Sequence, residues 1–423
     1  MRLRLLPLLL AALLAAGAAH AEDLLQVYTQ ARSADPQRAG ADAQRGVQRE
    51  TAEQARAALR PQWSLSATQS RADGDSSNGV TSSLSQLLFD LGRVRTARAE
   101  ETQVSAEDAR LRAAEQDLCA RVARAYFGVL LAQADLASTQ ANEDAYARQV
   151  AQAQSRFDTG LSAQVDVEQA RTYHALARGS TVRARQALAD AREALAQITG
   201  QLPGALRPLA IKLPMPPLDR DAQAWVDAAL RDNPGLQAQA LLLQAGELRI
   251  EAARAEHGPT VVAGLDTQRL GGPGTAAVDR GRTVTQVALR LNVPLFAGGA
   301  IQSQVRQASY RRDAAREELL ATRRALVRET QARYLAVTAG VTLVESSRAA
   351  VDAAERALAS TRAGQGLGTR TMTDLLLAIQ TLTAAQSAHD QARHGYVLAR
   401  LLLLQSAGAL GEAELAQANR LLD

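Results

Sequence analysis

The sequence contains one structural unit twice, and this duplication constrains the fold more than any other feature. Pro36 recurs as Pro234, and Pro61 recurs as Pro259 at the same spacing. Further along, the spacing is slightly longer and then nearly constant; the matched pairs are Gly92 and Gly299, Tyr126 and Tyr334, Gly160 and Gly368, Asp166 and Asp374, and Gly200 and Gly408. A spacing that holds within segments and changes mainly once indicates a duplication with one longer loop in the second copy.

The helical parts of the two copies follow the same order. Each copy opens with a predicted helix, Asp23–Ala58 or Asp221–Glu256, which a proline closes. A very long run without proline comes later, at Arg93–Asp158 and Ile301–Ala363. At 1.5 Å per residue, roughly 65 helical residues span about 100 Å, which no compact domain accommodates. After a glycine-marked turn each copy returns as a helix, and these helices are Gln164–Thr199 and Thr373–Ala407.

Between the opening helix and the long helix, each copy carries a predicted hairpin. Apolar and polar residues alternate on both sides of a polar, glycine-rich turn, which is a typical hairpin signal. The apolar positions are predicted to share one face and to contact lipid; they are Trp63, Leu65, Leu87, Phe89, Val287, Leu289 and Leu291. Strands with one apolar and one polar face are typical of an outer-membrane barrel. The alternative is a small soluble sheet packed against the helices.

Four strands cannot close such a barrel, because an open edge in lipid leaves backbone groups unpaired. Three chains would supply twelve strands, whereas two would supply eight, which is too narrow for a lumen. The pattern therefore favours a homotrimer.

Composition agrees with long helices and excludes several classes of protein. Only 3% of the residues are aromatic although 47% are hydrophobic, and the apolar residues are mostly Ala and Leu, the best helix formers. A mean hydropathy of -0.17 excludes a polytopic helical membrane protein. Lys212 is the only lysine, and no basic run contains interleaved aromatic residues, so nucleic acid is not an expected partner. Cys119 is the only cysteine and is predicted to be buried, which excludes a disulfide framework.

The first 21 residues are predicted to be a signal peptide, because Arg2 and Arg4 precede an apolar run that ends at an A-x-A cleavage site. The alternative is an uncleaved anchor helix. The predicted organisation of the remaining chain is a first structural repeat at 22–200, a proline-rich linker at 201–218 and a second repeat at 219–423.

Three segments resemble the TolC family of outer-membrane channel-tunnel proteins. Residues 22–36 resemble the opening helix of that family, and residues 156–171 resemble its first turn at the periplasmic end. Residues 366–374, Gly-Leu-Gly-Thr-Arg-Thr-Met-Thr-Asp, resemble the second turn and are the most specific match. The resemblance covers nearly the whole mature chain. We expect no long C-terminal tail such as some members carry, because Asp423 follows shortly after the last predicted helix.

The resemblance implies a mainly α-helical chain with β-structure. Three chains would form a 12-stranded outer-membrane barrel continued by a periplasmic helical tunnel. The implied function is a passive exit duct for tripartite efflux or type I secretion, gated at its periplasmic end. The implied partners are outer-membrane lipid, a periplasmic adaptor (membrane fusion) protein, and an inner-membrane pump or ABC transporter. The alternative function is a soluble periplasmic coiled-coil adaptor or scaffold without a pore.

The resemblance also assigns roles near the two turns. Asp166 and Arg370 match residues in the links that close the tunnel, and Asp374 matches an aspartate that lines its narrowest point in the trimer. Gln365 stands where the family has a tyrosine in those links, and Leu377 stands where a second acidic ring would lie. We therefore expect one acidic ring, weaker cation binding and a looser closed state. The alternative is structural, because both aspartates lie in a first helical turn, which favours carboxylates, and Arg370 could be solvated.

The turns themselves are predicted to combine glycines with an exposed apolar tip. Leu161 and Leu367 are the residues expected to contact an adaptor. The glycines predicted to supply positive φ angles are Gly160, Gly364, Gly366 and Gly368.

The sequence contains no catalytic constellation. Its histidines, including His389 and His394, are scattered and are predicted to be exposed, and neither a nucleophile elbow nor a phosphate-binding loop is present. We predict no enzyme activity, no cofactor and no bound metal, so that the energy for transport must come from a partner.

Overall fold

The structure is a computed structural model that describes residues 21–72, 74–273, 275–276 and 281–423. The predicted signal peptide therefore lies, apart from Ala21, outside the described residues. The elements in chain order are α1 (Leu24–Ala34), α2 (Pro36–Ala57), β1 (Gln62–Ala72), β2 (Asp75–Phe89), α3 (Leu91–Asp158), α4 (Gln164–Thr199), α5 (Ala222–Asp232), α6 (Pro234–Ala255), β3 (Thr260–Gly271), β4 (Thr283–Asn292), α7 (Ala300–Gly366), α8 (Met372–Ser406) and α9 (Glu412–Asn419).

The two copies show the same order of elements, and the predicted long helices and return helices are present. The long helices α3 and α7 contain 68 and 67 residues. They consist largely of good helix formers and lack proline, which explains their length. The short helix α9, near the end of the second repeat, was not predicted.

The prediction of one continuous opening helix in each copy is wrong. The helix is interrupted at Asp35 and at Asn233, whose ψ angles of 118° and 119° are extended rather than helical. Each of these residues precedes a proline, whose ring disfavours the helical conformation of the residue before it. Pro36 and Pro234 then begin the next helix, a position where the missing N–H costs nothing.

The chain divides into two compact units, each built from both copies. The first unit comprises the residues up to Arg38, Ala114–Asn233 and Leu326–Asp423. The second unit comprises Ala39–Ala113 and Pro234–Ala325 and contains the sheet. The boundaries predicted from the sequence follow the repeats and remain a prediction.

The core of the first unit ties the chain start to the linker. The Tyr126 side chain is fully buried in this core. Its hydroxyl donates to the carbonyl oxygens of Glu22 at 3.1 Å and Arg207 at 3.0 Å, which satisfies the polar end of a buried ring. Cys119 is also buried there, as predicted.

A buried ion pair fixes the break between α1 and α2. Both carboxylate oxygens of Asp35 accept from the Arg121 guanidinium, at 2.9 and 2.8 Å, and Asp117 holds the same arginine at 2.7 Å. The Asp35 carboxylate also accepts the backbone N–H of Arg38 at 2.9 Å and so caps α2. The hydrogen bonds from Arg121 are the main reason why the pKa of Asp35 is lowered.

The second unit contains an antiparallel sheet in the order β1-β2-β3-β4. Its register gives it one apolar and one polar face, because alternate residues of a strand point to opposite faces. On the face that we call the apolar face, one row of apolar side chains crosses all four strands, and these are Trp63, Leu84, Leu265 and Val287. Leu65, Leu289 and Leu291 lie on this face as well, and all three are exposed.

Leu87 does not lie on the apolar face, so its predicted grouping with Phe89 is wrong. Leu87 pairs with Val262, whereas Phe89 pairs with Val261, because a β-bulge inserts one residue between them. An inserted residue reverses the alternation of faces. Leu87 therefore lies on the polar face.

We expect Asp35→Ala to destabilise the first unit by about 3 kcal/mol, because the substitution leaves the Arg121 charge without its main buried partner. Thermal unfolding monitored by circular dichroism measures the loss. Since Asp35 has a lowered pKa, its contribution is present above the unfolded-state pKa and is lost as pH falls through the folded-state pKa. The wild type should therefore lose stability over that acidic range, and the variant should lose less.

The matched control is Glu412→Gln, which removes the ion pair between Glu412 and Arg32. The paired atoms lie 3.7 Å apart, and both side chains are more than half exposed. The loss of stability in this control should stay below about 1 kcal/mol. Equal losses of stability in the two variants would contradict the role of Asp35 in a buried ion pair.

Candidate gate at the helix turns

The turn between α3 and α4 reverses the chain around one glycine. Gly160 has a φ angle of 75°. The backbone N–H of Leu161 donates to the Arg156 carbonyl at 2.8 Å, and that of Gly160 donates to the Phe157 carbonyl at 2.9 Å. This pair of bonds is the Schellman motif, which satisfies the last carbonyls of a helix.

The turn between α7 and α8 has the same backbone. Gly368 has a φ angle of 77°, the Thr369 N–H donates to the Gly364 carbonyl at 2.9 Å, and the Gly368 N–H donates to the Gln365 carbonyl at 3.2 Å. The prediction of positive φ angles is wrong for Gly364 and Gly366, which both lie inside α7. A Schellman motif needs only one left-handed residue, directly after the helix cap.

Gly364 has a different structural role, which is to make room for Arg370. A Cβ atom at Gly364 would lie 2.8 Å from Cγ of Arg370 and 3.1 Å from Oγ1 of Thr369. A Cβ atom at Gly366 would meet nothing within 4 Å. The side chain of Arg370 therefore lies across the last turn of α7.

The two leucines of the predicted tip are both exposed, Leu161 at 71% and Leu367 at 81%. They do not occupy matched positions. Leu161 follows the left-handed glycine of its turn, whereas Leu367 precedes the left-handed glycine of the second turn.

Asp374 forms a capping box at the start of α8. The Asp374 N–H donates to Oγ1 of Thr371 at 3.1 Å, and the Thr371 N–H donates to Oδ2 of Asp374 at 3.0 Å. These hydrogen bonds with Thr371, followed by the positive charge of Arg370, lower the pKa of Asp374. The structural role predicted for Asp374, in the first turn of the helix, is therefore compatible with a charged carboxylate, because the hydrogen bond that caps the helix favours the ionised form.

Asp166 occupies the matched position in α4 with different neighbours. The residue that precedes α4 is Ala163, whose methyl group cannot accept a capping hydrogen bond. Oγ of Ser162 instead donates to Oδ2 of Asp166 at 2.6 Å. Within the described part of one chain, Asp166 and Arg370 form no ion pair with each other, and their predicted place in the closing links remains a prediction.

Gln365 and Leu377, the two departures from the family pattern, differ in exposure. Gln365 is only 6% exposed, and its Oε1 accepts from Nε2 of Gln152 on α3 at 3.5 Å. Leu377 is exposed, whereas the neighbouring Leu376 is fully buried. The carbonyl oxygen of Leu376 accepts from the Tyr146 hydroxyl at 3.2 Å. Gln152 was not singled out from the sequence, because nothing in its local pattern indicates a partner on α7.

A small apolar cluster packs between the helices next to the two turns. It consists of Tyr146, Ala153, Val167, Ala170, Ala177, Met372, Leu375, Leu376 and Ile379. A polar contact joins the two return helices beside it, since Oγ1 of Thr373 donates to Oε1 of Gln169 at 2.8 Å. The first residues of α4 and α8 are therefore held together within one chain.

The described histidines do not form a metal site. In the described ranges, no group of three His, Cys, Asp or Glu side chains is placed to hold a metal ion. His394, predicted to be exposed, is buried instead, and burial lowers its pKa. Its Nδ1 lies 2.7 Å from the Asp390 carbonyl oxygen, which gives that nitrogen a hydrogen-bond partner.

A duplicated chain of very long helices that carries an amphipathic four-stranded sheet defines the class of outer-membrane channels with a periplasmic helical extension. No helix in the described part of the chain combines the length and apolarity needed to cross a bilayer. Residues 27–201 and 225–409 match the family described as outer membrane efflux protein.

The relatives and solved structures agree with this match. The chain is 30% identical over 439 residues to the outer membrane protein TolC of Escherichia coli, covering 99% of this chain and 89% of that protein. It is 28% identical to the alkaline protease secretion protein AprF of Pseudomonas aeruginosa, covering 94% and 86%. The fold matches the CmeC outer membrane channel of Campylobacter jejuni with a TM-score of 0.82 at 16% identity, covering 95% and 90%.

The chain belongs to the outer membrane efflux protein family. This family transports molecules and is not a family of enzymes. The predicted family, fold class and outer-membrane location with a periplasmic extension are confirmed, and the soluble adaptor or scaffold is not favoured.

We expect Gly368→Ala to destabilise the second turn by about 1 kcal/mol, because alanine is strained at a positive φ angle. Hydrogen exchange of the Thr369 amide should then become about fivefold faster. Gly366→Ala is the matched control, since that glycine is helical and a Cβ atom there meets nothing within 4 Å. Faster exchange in the control than in Gly368→Ala would show that the turn does not depend on the left-handed residue.

Proposed function

We propose that this protein is the outer-membrane exit duct of a tripartite efflux or type I secretion assembly. The observation that carries the proposal is the sheet, which has one apolar face, one polar face and two open edges at β1 and β4 within the described residues. In lipid, the backbone groups of an open edge require partners. Other copies of the chain can supply them, with β1 of one copy beside β4 of the next.

Three copies give a twelve-stranded barrel with the apolar face toward lipid and the polar face toward a lumen. The exposed side chains of Trp63, Val287 and Leu289 fit this orientation, since a soluble sheet would cover them. The polar face carries mostly hydroxyl and amide side chains, which suit a water-filled passage.

The partners follow from the turns that close the long helices α3 and α7. Leu161 and Leu367 present exposed apolar side chains on rigid Schellman turns, which suits contact with a periplasmic adaptor. We infer that an inner-membrane pump or ABC transporter supplies the energy. The duct itself is passive, needs no cofactor and leaves the choice of cargo to that pump.

The gate consists of Asp166, Arg370 and Asp374 from each copy. Because Asp166 and Arg370 do not pair within one chain, we infer that their links form between copies. Asp374 from three copies forms the acidic ring, and Thr371 keeps that carboxylate ionised. Gln365 is buried and accepts from Gln152 within its own chain, so we infer that it contributes little to a link between copies.

The test of the duct is reconstitution of the detergent-extracted outer-membrane protein into planar bilayers. A trimeric mass and stepwise conductance are expected. A monomer without conductance would contradict the proposal and favour the soluble scaffold.

We expect Asp374→Asn to lower the cation-to-anion permeability ratio and to abolish block by divalent cations, because the ring loses its three charges. Reversal potentials in a potassium chloride gradient measure the ratio. The wild-type selectivity should disappear as pH falls and the three Asp374 carboxylates become protonated. Leu377→Asp should strengthen divalent block by adding a second ring. Unchanged selectivity in Asp374→Asn would remove this residue from the constriction.

We expect Arg370→Ala and Asp166→Ala to raise the conductance of the closed state, because each substitution removes one side of the proposed links between copies. Single-channel recording measures the change. Arg356→Ala removes an exposed arginine from the same helix, α7, and should leave the closed state unchanged. If neither gate variant differs from this control, the links lie elsewhere.

A further inference from the structure

The polar face of the sheet carries few charges. Residues with hydroxyl or amide side chains predominate on β1 and β2, whereas on β3 and β4 they stand among apolar residues and glycine, as the register shows. The charged residues on this face, among those that the structure describes, are Asp75 beside the first hairpin turn, Asp266 on β3 and Arg290 on β4. Each of these charges therefore acts on an otherwise neutral surface.

Arg290 has no acidic neighbour on this face. It lies directly opposite Val262, and Ala288 and Asn292 flank it on its own strand. Asp266 is four residues further along β3 than Val262, which corresponds to about 13 Å. In the described residues, no carboxylate oxygen lies within ion-pair distance of the Arg290 guanidinium, and its side chain is exposed. Its five N–H donors are therefore available to a ligand.

Arg290 and Asp266 both belong to the second copy. The spacing of the duplication matches Arg290 with Ser83 and Asp266 with Thr68, and both of these are uncharged. A trimer thus carries three arginines at one level of the polar face and three aspartates at another. Because the first copy forms the same hairpin without these charges, the fold of the repeat does not require them.

We propose that the three Arg290 side chains form an oxyanion-binding level inside the barrel, separated by about 13 Å from an acidic level at Asp266. This inference rests on the proposed closure of the barrel. Guanidinium groups bind carboxylate and phosphate oxygens in a planar, bidentate geometry. The passage therefore attracts small organic acids and phosphate esters at the Arg290 level, whereas the Asp374 ring attracts cations.

The experiment uses full-length trimers in planar bilayers with tripolyphosphate as the probe. Arg290→Gln should raise the cation-to-anion permeability ratio by about fivefold, the effect of one charge at a distance of about 4 Å in water. It should also abolish block by tripolyphosphate. Arg290→Lys keeps the charge and should retain most of the wild-type permeability ratio. Tripolyphosphate should block this variant more weakly than the wild type, because lysine cannot bind it in the bidentate geometry.

The matched control is Arg269→Gln on β3. Arg269 pairs with Val80 on the apolar face, so this variant removes the same charge from the opposite side of the same sheet. It should change neither selectivity nor block. An equal effect of the two glutamine variants, or no effect of Arg290→Gln in conducting trimers, overturns the inference and leaves the duct intact. Absence of conductance in the wild type overturns the duct and the inference together.

Discussion

The open edges of the sheet are the constraint on which the rest of this protein depends. Backbone N–H and C=O groups at β1 and β4 are solvated in water, but in lipid each unpaired group costs several kcal/mol, on the order of a whole hydrogen bond. The apolar face of the same sheet favours lipid. A single chain cannot satisfy both demands, which is the reason for the proposal that other copies pair with the edges of the sheet.

The duplication explains why two turns share one backbone and yet carry different chemistry. Both turns close with the same pair of Schellman hydrogen bonds around Gly160 or Gly368. Their carboxylates then differ in partner, since Ser162 donates to Asp166 whereas Thr371 caps the helix together with Asp374. The backbone is set by the repeat, and the proposed gate uses the differences between the copies.

Elements in which one local signal dominates were predicted correctly. Long helices without proline were predicted within a few residues of their observed bounds, and a hairpin was predicted before each of them. The predictions were wrong where a neighbouring residue changes the local rule. The proline after Asp35 breaks a helix that periodicity predicts as continuous, and one inserted residue in β2 moves Leu87 to the other face. Neither effect is visible in the hydrophobic pattern alone.

By itself, the sequence determined the repeat, the order of elements and the family, because these depend on periodicity, proline and glycine positions and short motifs. Only the tertiary structure decided which side chains meet. The pairing of Asp35 with Arg121, the contact of Gln365 with Gln152 and the isolation of Arg290 on the polar face join residues far apart in the chain or depend on register. Contacts of this kind arise from packing and strand pairing, which no local pattern encodes.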